Sequence, residues 1–321
     1  MSDREWIVPA IMLTCGLALV AILFTPSIAG LATNLVIMPA WMLAATVVGA
    51  VYGFVRMALA GVRSPTAEMI RFVREERSRL LPIVLIVGLA GANMTAFLWV
   101  KPLLNYLVPF TADPMLARAD ALLFFGHDPW RVLGWLDVAG AEFVYHKLWT
   151  IMMILTLIVV AQAPASPEKS AVMTSYFVLW SLAGPLIHIA LPAAGPLFYE
   201  RMGFGERFAG VTPGAETRVM ADYLWAVYSS GEFGAGSGIS AMPSLHVTTA
   251  AWIAIAIHVF AKGWFWPVAS FSVLLFLLSM GLGWHYAWDG IVGAGAALVS
   301  YRVLLDIYRR RSAGVRAPAI A

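Results

Sequence analysis

Long apolar runs joined by short polar segments dominate the chain. A helix needs roughly 20 apolar residues to cross a bilayer. About eight windows approach that length: 7–29, 35–60, 80–100, 144–163, 171–192, 245–261, 264–283 and 287–306. The runs are continuous and do not alternate with period two, so they predict helices and not the strands of a barrel. Lipid offers no water to unpaired backbone groups, which restricts a spanning chain to helices or a closed barrel. The pattern therefore predicts an all-α fold, a polytopic membrane helical bundle with about eight transmembrane helices. Pro82, Gly88, Gly91 and Pro185 fall inside the runs, where membrane helices tolerate them. The stretch after "MSDREW" lacks a strongly basic lead and a clear small-residue cleavage site, so it reads as a first helix and not as a cleaved signal.

Composition agrees with the pattern. The chain has 321 residues, of which 61% are hydrophobic and only 12% charged, and its mean hydropathy is +0.80. A soluble domain carries about a quarter charged residues. The net charge of +3 says less than where the charges fall. Arg63, Arg71, Arg74, Arg77 and Arg79 follow the second run, Arg309, Arg310, Arg311 and Arg316 close the chain, and Lys169 and Lys262 sit in two short joints. The positive-inside rule places all of these in the cytoplasm with both ends of the chain. Segments 30–34, 101–143, 193–244 and 284–286 then lie on the other side. The chain divides into a transmembrane hairpin (1–62), a basic cytoplasmic or interfacial segment (63–79), a catalytic bundle (80–308) and a basic tail (309–321). The basic segment reads as a helix lying on anionic lipid. Nothing aromatic or repetitive accompanies it to suggest nucleic-acid binding. The single Cys15 allows no internal disulfide.

Two long segments fall on the non-cytoplasmic side. Residues 111–140 show helical spacing interrupted by "FGHDP", which predicts one or two short interfacial helices with Trp130 and Trp135 at headgroup depth. The second, "AAGPLFYERMGFGERFAGVTPGAETRVM" (193–220), is rich in glycine and aromatics and predicts a folded covering loop.

Candidate chemistry gathers on that same side. "PSLH" (Pro243–His246) leads into the sixth run, and "GWHYAWDG" places His285 and Asp289 four apart at the start of the eighth. Spacing i, i+4 sets two side chains on one helix face. A carboxylate there can take the proton of one imidazole nitrogen and leave the other free as a nucleophile. His246, across the gap, can serve as general acid for a leaving group. Ser244 and the amides at the start of that helix can bind an oxyanion. Ionisable groups near membrane depth are expensive to hold and mark function. His127, His188 and His258 lack such partners and read as interfacial polar residues. A metal site would need a third nitrogen ligand at suitable spacing, and none is evident.

"PSLH" followed by "HYAWDG" resembles the paired P-S-x-H and H-x-x-x-D motifs of the type-2 phosphatidic acid phosphatase superfamily. The Leu in "PSLH", the element "ADALLFFGHDPW" (119–130) and "PAAGPLFY" (192–199) resemble the inositol phosphorylceramide synthase branch. The resemblance covers about 115–300 and leaves out the first two spans. It implies metal-independent transfer through a phosphohistidine, with His285 as nucleophile, Asp289 orienting it, His246 protonating the leaving group and Ser244 touching the phosphate. No cofactor is expected. Two family cations are missing: there is no Lys-x6-Arg-Pro motif, and the position six before the nucleophile is Ser279. Since a transition-state charge must still be neutralised, Lys147, Arg201, Arg207 and Arg218 become candidates, and each is also an ordinary membrane-surface residue. Tyr145 and His146, beside Lys147, are candidate pocket residues or members of an aromatic belt.

The leading expectation is a membrane transferase that moves a phosphate-containing headgroup from a phospholipid to a lipid or alcohol acceptor. The alternative is a phosphatase on a lipid or polyprenyl phosphate with the same His, His, Asp site. A transporter fits less well, because the polar groups cluster at one end of the spans. The expected partners are a lipid phosphate substrate and the bilayer, with no nucleic acid; oligomeric state is left open. The Ala, Gly, Val and Arg bias suggests a bacterial inner membrane protein whose site faces the periplasm.

Overall fold

The computed structural model describes residues 2–25 and 28–316, and every regular element among them is helical. The N-terminal part comprises α1 (Arg4–Phe24), α2 (Ile28–Thr33), α3 (Ile37–Leu59), the short amphipathic α4 (Pro65–Glu75) and the long α5 (Arg77–Leu107). Two short helices follow, α6 (Asp113–Leu123) and α7 (Pro129–Leu133). A π-helical turn at Phe143–Leu148 runs into α8 (Trp149–Gln162). Next, α9 (Pro167–Val178) passes through a second π turn, Leu179–Ala183, into α10 (Gly184–Ala190). A long loop then leads to α11 (Ala215–Ser230), α12 (Leu245–Phe260), α13 (Phe265–Gly281) and α14 (Ala287–Arg316).

Each of the eight expected runs is helical over most of its described residues. Among the described residues, seven helical segments are long and apolar enough to cross a membrane: Arg4–Phe24, Gly30–Leu59, Arg77–Leu107, Phe143–Gln162, Pro167–Ala190, Lys262–Gly281 and Ala287–Ala313. The protein is an integral membrane protein. The sixth run is the exception in length. Its helix, α12, has 16 residues and is about 24 Å long at 1.5 Å per residue, short of the ~30 Å hydrocarbon core. It can be short because it is enclosed: α12 packs against α8, α9, α13 and α14, and Trp252 and Ile253 are fully buried. Its first turn therefore begins among other residues of the protein.

Lipid acts as the solvent for this bundle. Met12, Leu43, Leu81 and Val299 are exposed on span helices, while Trp6, Tyr176, Phe177 and Trp252 fill the interior. Since lipid tails are as apolar as leucine, association rests on packing and polar contacts between helices. Trp6 of α1 stacks on Phe177 at 6.5 Å. Asn93 donates to Thr14 and Ser181, tying α5 to α1 and to the second π turn. Small residues let α14 approach α12: a Cβ on Gly293 would lie 2.2 Å from Thr248 Oγ1. That close crossing fixes the start of α14 against the start of α12.

Residues 111–140 do more than lie at the interface. Trp135 is exposed as expected, but Trp130 packs over Gly210, and α6 buries both Asp113 and Asp120 against neighbouring loops. In α4, Ile70 and Val73 are exposed, which suits a helix lying on lipid.

Candidate active site

The turn between α13 and α14 shapes the first half of the site. The His285 N–H donates to Ser279 O, which folds the turn back on the end of α13. Asp289 Oδ2 accepts the Tyr286 N–H at 2.8 Å and lies 3.3 Å from His285 Nδ1. The i, i+4 spacing thus brings the carboxylate to Nδ1 and leaves Nε2 as the available nitrogen. Asp289 is completely buried.

Two carboxylates of α6 hold this turn. Asp120 accepts the N–H groups of Ala287 (2.7 Å) and Trp288 (3.4 Å), capping the first turn of α14. Burial pushes its carboxyl up to about 7, against the Ala287 hydrogen bond and with the Asp289 charge. One face of the helix further back, Asp113 accepts from the Ala194 and Gly195 amides and from the Tyr286 hydroxyl. Burial raises Asp113 too, and these donors oppose it. Gly195 is required where it stands: its φ is +100°, and a Cβ would meet Trp284 O at 2.5 Å. No role for Asp113 or Asp120 was anticipated from sequence, although Asp120 stands in the element "ADALLFFGHDPW" (119–130). Their signal was two aspartates seven apart, two helical turns, in an otherwise apolar segment.

His246 supplies the second half. Ser244 caps α12, its hydroxyl accepting the Val247 N–H at 3.4 Å, and its own N–H donates to Asp289 O at 3.0 Å. The loop before α12 and the start of α14 are thereby joined through one hydrogen bond. The His246 ring stacks on Tyr145 (4.5 Å between centroids) and lies 4.3 Å from the Trp149 ring, whose N–H donates to His246 O. His146 stands edge-on to both His246 (6.0 Å) and Trp284 (5.9 Å).

His246 and His285 line one cavity of about 400 Å³, with Tyr145, His146, Trp180 and Trp284 on its walls. Both π turns contribute, one through Tyr145 and His146 and the other through Trp180. π turns inside helices are frequent at functional sites. Met220, Tyr223 and Leu224 of α11 close the cavity above. Glu142 secures α11 by accepting the Thr217 N–H at 2.6 Å, and Lys147 pairs with Glu216 at 2.7 Å.

The candidate cations are engaged elsewhere. Lys147 is bound to Glu216, Arg201 pairs with Asp222, Arg207 with Asp128, and the exposed Arg218 donates to Pro213 O. Lys147, Arg201 and the fully buried Ser244 are not among the cavity-lining residues, whereas Tyr145, His146, His246 and His285 are. Lys101 of α5 also lines the cavity. Sequence reading passed over it because Val108 stands where a Lys-x6-Arg-Pro motif would have its arginine, ahead of Pro109. His188, read as interfacial, is buried and hydrogen-bonds Ser240 Oγ at 3.1 Å; His127 is exposed.

The profile of the PAP2 superfamily matches residues 114–303, more than half of the chain. The chain belongs to the PAP2 superfamily. Members of that superfamily are phosphatases and phosphotransferases on phosphate esters, so the protein is an enzyme of that broad class. No curated protein and no solved structure matches the chain. The PAP2 region begins inside α6, which leaves α1–α5, and with them Lys101, outside it.

Proposed function

We propose that the protein is a membrane phosphotransferase that moves a phosphate-bearing headgroup from a phospholipid to a lipid or alcohol acceptor, close to the inositol phosphorylceramide synthase branch of its superfamily. The observation that carries this reading is that His246 and His285, the latter paired with Asp289, line one cavity. His285 Nε2 attacks phosphorus; a P–N bond forms as the P–O bond to the leaving alcohol breaks. His246 gives that oxygen its proton. In the second half the acceptor oxygen attacks phosphorus, His246 takes the acceptor's proton, and the P–N bond breaks. Asp289 balances the charge that develops on His285.

Transfer needs water kept from the phosphoenzyme. The aromatic walls and the α11 cover support transfer over hydrolysis. The arginines of 63–79 lie at the opposite end of the bundle from His246 and His285, which supports a site on the non-cytoplasmic face, the periplasm of a bacterium. An impermeant thiol reagent that labels S64C and spares S230C in intact cells would reverse this orientation.

The deciding experiment uses the purified protein in detergent with a headgroup-labelled phospholipid, with and without a lipid alcohol. A new headgroup-bearing lipid is expected. Release of free phosphate or phospho-headgroup in both conditions would make the enzyme a hydrolase. Turnover by H285A at the wild-type rate would remove the proposed mechanism.

A further inference from the structure

The N-terminal hairpin touches the wall of the cavity through one buried amide. Between α2 and α3 the chain makes a 3-10 turn at Asn34–Val36, and Asn34 is buried there. Its side chain serves two backbone groups from distant parts of the chain. Oδ1 accepts the Gly236 N–H at 2.7 Å, and Nδ2 donates to Leu98 O of α5 at 3.4 Å. Trp99 of α5 donates to Leu31 O at 2.8 Å, which ties the same corner to α5. Beside it Phe233 packs on Gly30, where a Cβ would lie 2.8 Å from Phe233 Cβ. Without Asn34 the Gly236 N–H would lose its protein partner.

Gly236 belongs to a tight turn that follows α11. The Ser237 N–H donates to Gly234 O and the Gly234 N–H to Ser237 Oγ, both at 3.2 Å. Gly236 itself stands at φ +66°, a left-handed value that glycine adopts without strain. The Tyr223 hydroxyl of α11 donates to Ala235 O at 2.8 Å. Ala235, Gly236 and Gly238 line the cavity, together with Tyr223 and Leu98. This stretch of wall is built from the smallest residues, so no side chain in it can plug a gap. It is only as tight as its backbone is fixed, and Tyr223 and Asn34 fix that backbone from two separate elements.

We propose that Asn34 is a positioning residue that holds the 234–238 turn closed over the cavity and thereby sets how often water, in place of the acceptor, reaches the phosphohistidine. The inference rests on the phosphotransfer reading and gives the N-terminal hairpin, which lies outside the PAP2 match, a part in it. Water and acceptor compete for the same phosphorus. When water wins, its oxygen forms the new P–O bond, the P–N bond to His285 breaks, and the water's proton passes to His246. The product is then a free phospho-headgroup and not a new lipid. A wall that moves admits water more readily than a lipid alcohol, because water is the smaller molecule.

The test compares full-length wild type, N34A, F233A and K169M in detergent, each checked for folding by size exclusion and by a melting curve. Headgroup-labelled phospholipid is supplied with a lipid alcohol at one fixed concentration. The readout is the ratio of released phospho-headgroup to new headgroup-bearing lipid. In N34A this ratio is expected to rise on the order of 3- to 10-fold, the size that one net hydrogen bond carries. K169M, which loosens the far end of the bundle, should leave the ratio at the wild-type value even where it lowers the melting temperature. Should N34A fail to fold, F233A decides, since it loosens the same contact from the side of the turn. A wild-type ratio in the deciding variant, whatever its total rate or melting temperature, overturns the role of Asn34 and leaves phosphotransfer standing. An equal rise in K169M also overturns it, by assigning the effect to lost stability. If wild type makes no new headgroup-bearing lipid at all, the phosphotransfer reading falls and the inference falls with it.

Discussion

His285, in the turn ahead of α14, and Asp289, in the first turn of that helix, face each other with Nδ1 and Oδ2 3.3 Å apart, and the same carboxylate oxygen accepts the Tyr286 N–H. The carboxylate is thus fixed by the backbone before it orients the ring. Replacing it with an amide of the same shape keeps the volume and removes the charge. D289N is expected to fold and to lose turnover by a factor on the order of 10²–10⁴. Steady-state rates with labelled phospholipid, beside a melting curve, check this; a D289N enzyme within a few-fold of wild type would mean that Asp289 only shapes the turn.

His246 is proposed to protonate the leaving oxygen, a service that matters in proportion to how poor the leaving group is. H246N is therefore expected to slow transfer from a natural phospholipid by a factor on the order of 10²–10⁴. A p-nitrophenyl phosphodiester, whose leaving group needs no proton, should lose much less. Equal losses on both substrates would assign His246 to binding or structure.

Asp120 makes stability depend on pH in an unusual direction. Burial raises its carboxyl from 3.8 to about 7. The folded protein then binds more protons than the unfolded chain between those values, so unfolding free energy falls as pH rises. The contribution is fully present below the ordinary aspartate value and is lost as pH passes about 7. D120N, permanently neutral, should flatten this part of the profile. Melting temperatures from pH 4 to 8, wild type minus variant, test it, and two parallel profiles would contradict it.

At the far end of the bundle, Lys169 is buried and donates to Asp3 (3.0 Å), Ala163 O (2.9 Å) and Ala161 O (3.3 Å). It closes the end of α8 and pins the start of α1. K169M strands those carbonyls and should cost about 1–3 kcal/mol. The readout is a lower melting temperature with unchanged turnover per folded molecule. Loss of turnover without loss of stability would link this end to the site.

The helices were legible because the membrane forces the pattern: a run too apolar for water and too long for a core has few other folds available. The His285–Asp289 relation was legible for a similar reason, since a separation of four residues is local geometry, although His285 lies in the turn ahead of α14 and not on one helix face with Asp289. The role of α6 was not. Its two aspartates meet Ala194, Gly195, Tyr286 and Ala287 across more than seventy residues of chain, and no local spacing encodes such a meeting.

The cations illustrate the same division. Lys147, Arg201 and Arg207 were prominent in the sequence by their position beside the site, yet each is paired with a carboxylate that only folding brings near. Lys101 stood at the end of an apolar run, and only the fold shows that it lines the cavity, one turn from Asn105, which bonds Ile239 on the same wall. Sequence alone determined the solvent, the helices and the chemistry within one turn, because composition and short-range spacing fix those. Which charges are neutralised was decided by tertiary structure, because electrostatic pairing acts through space and the chain sets those distances only once packed.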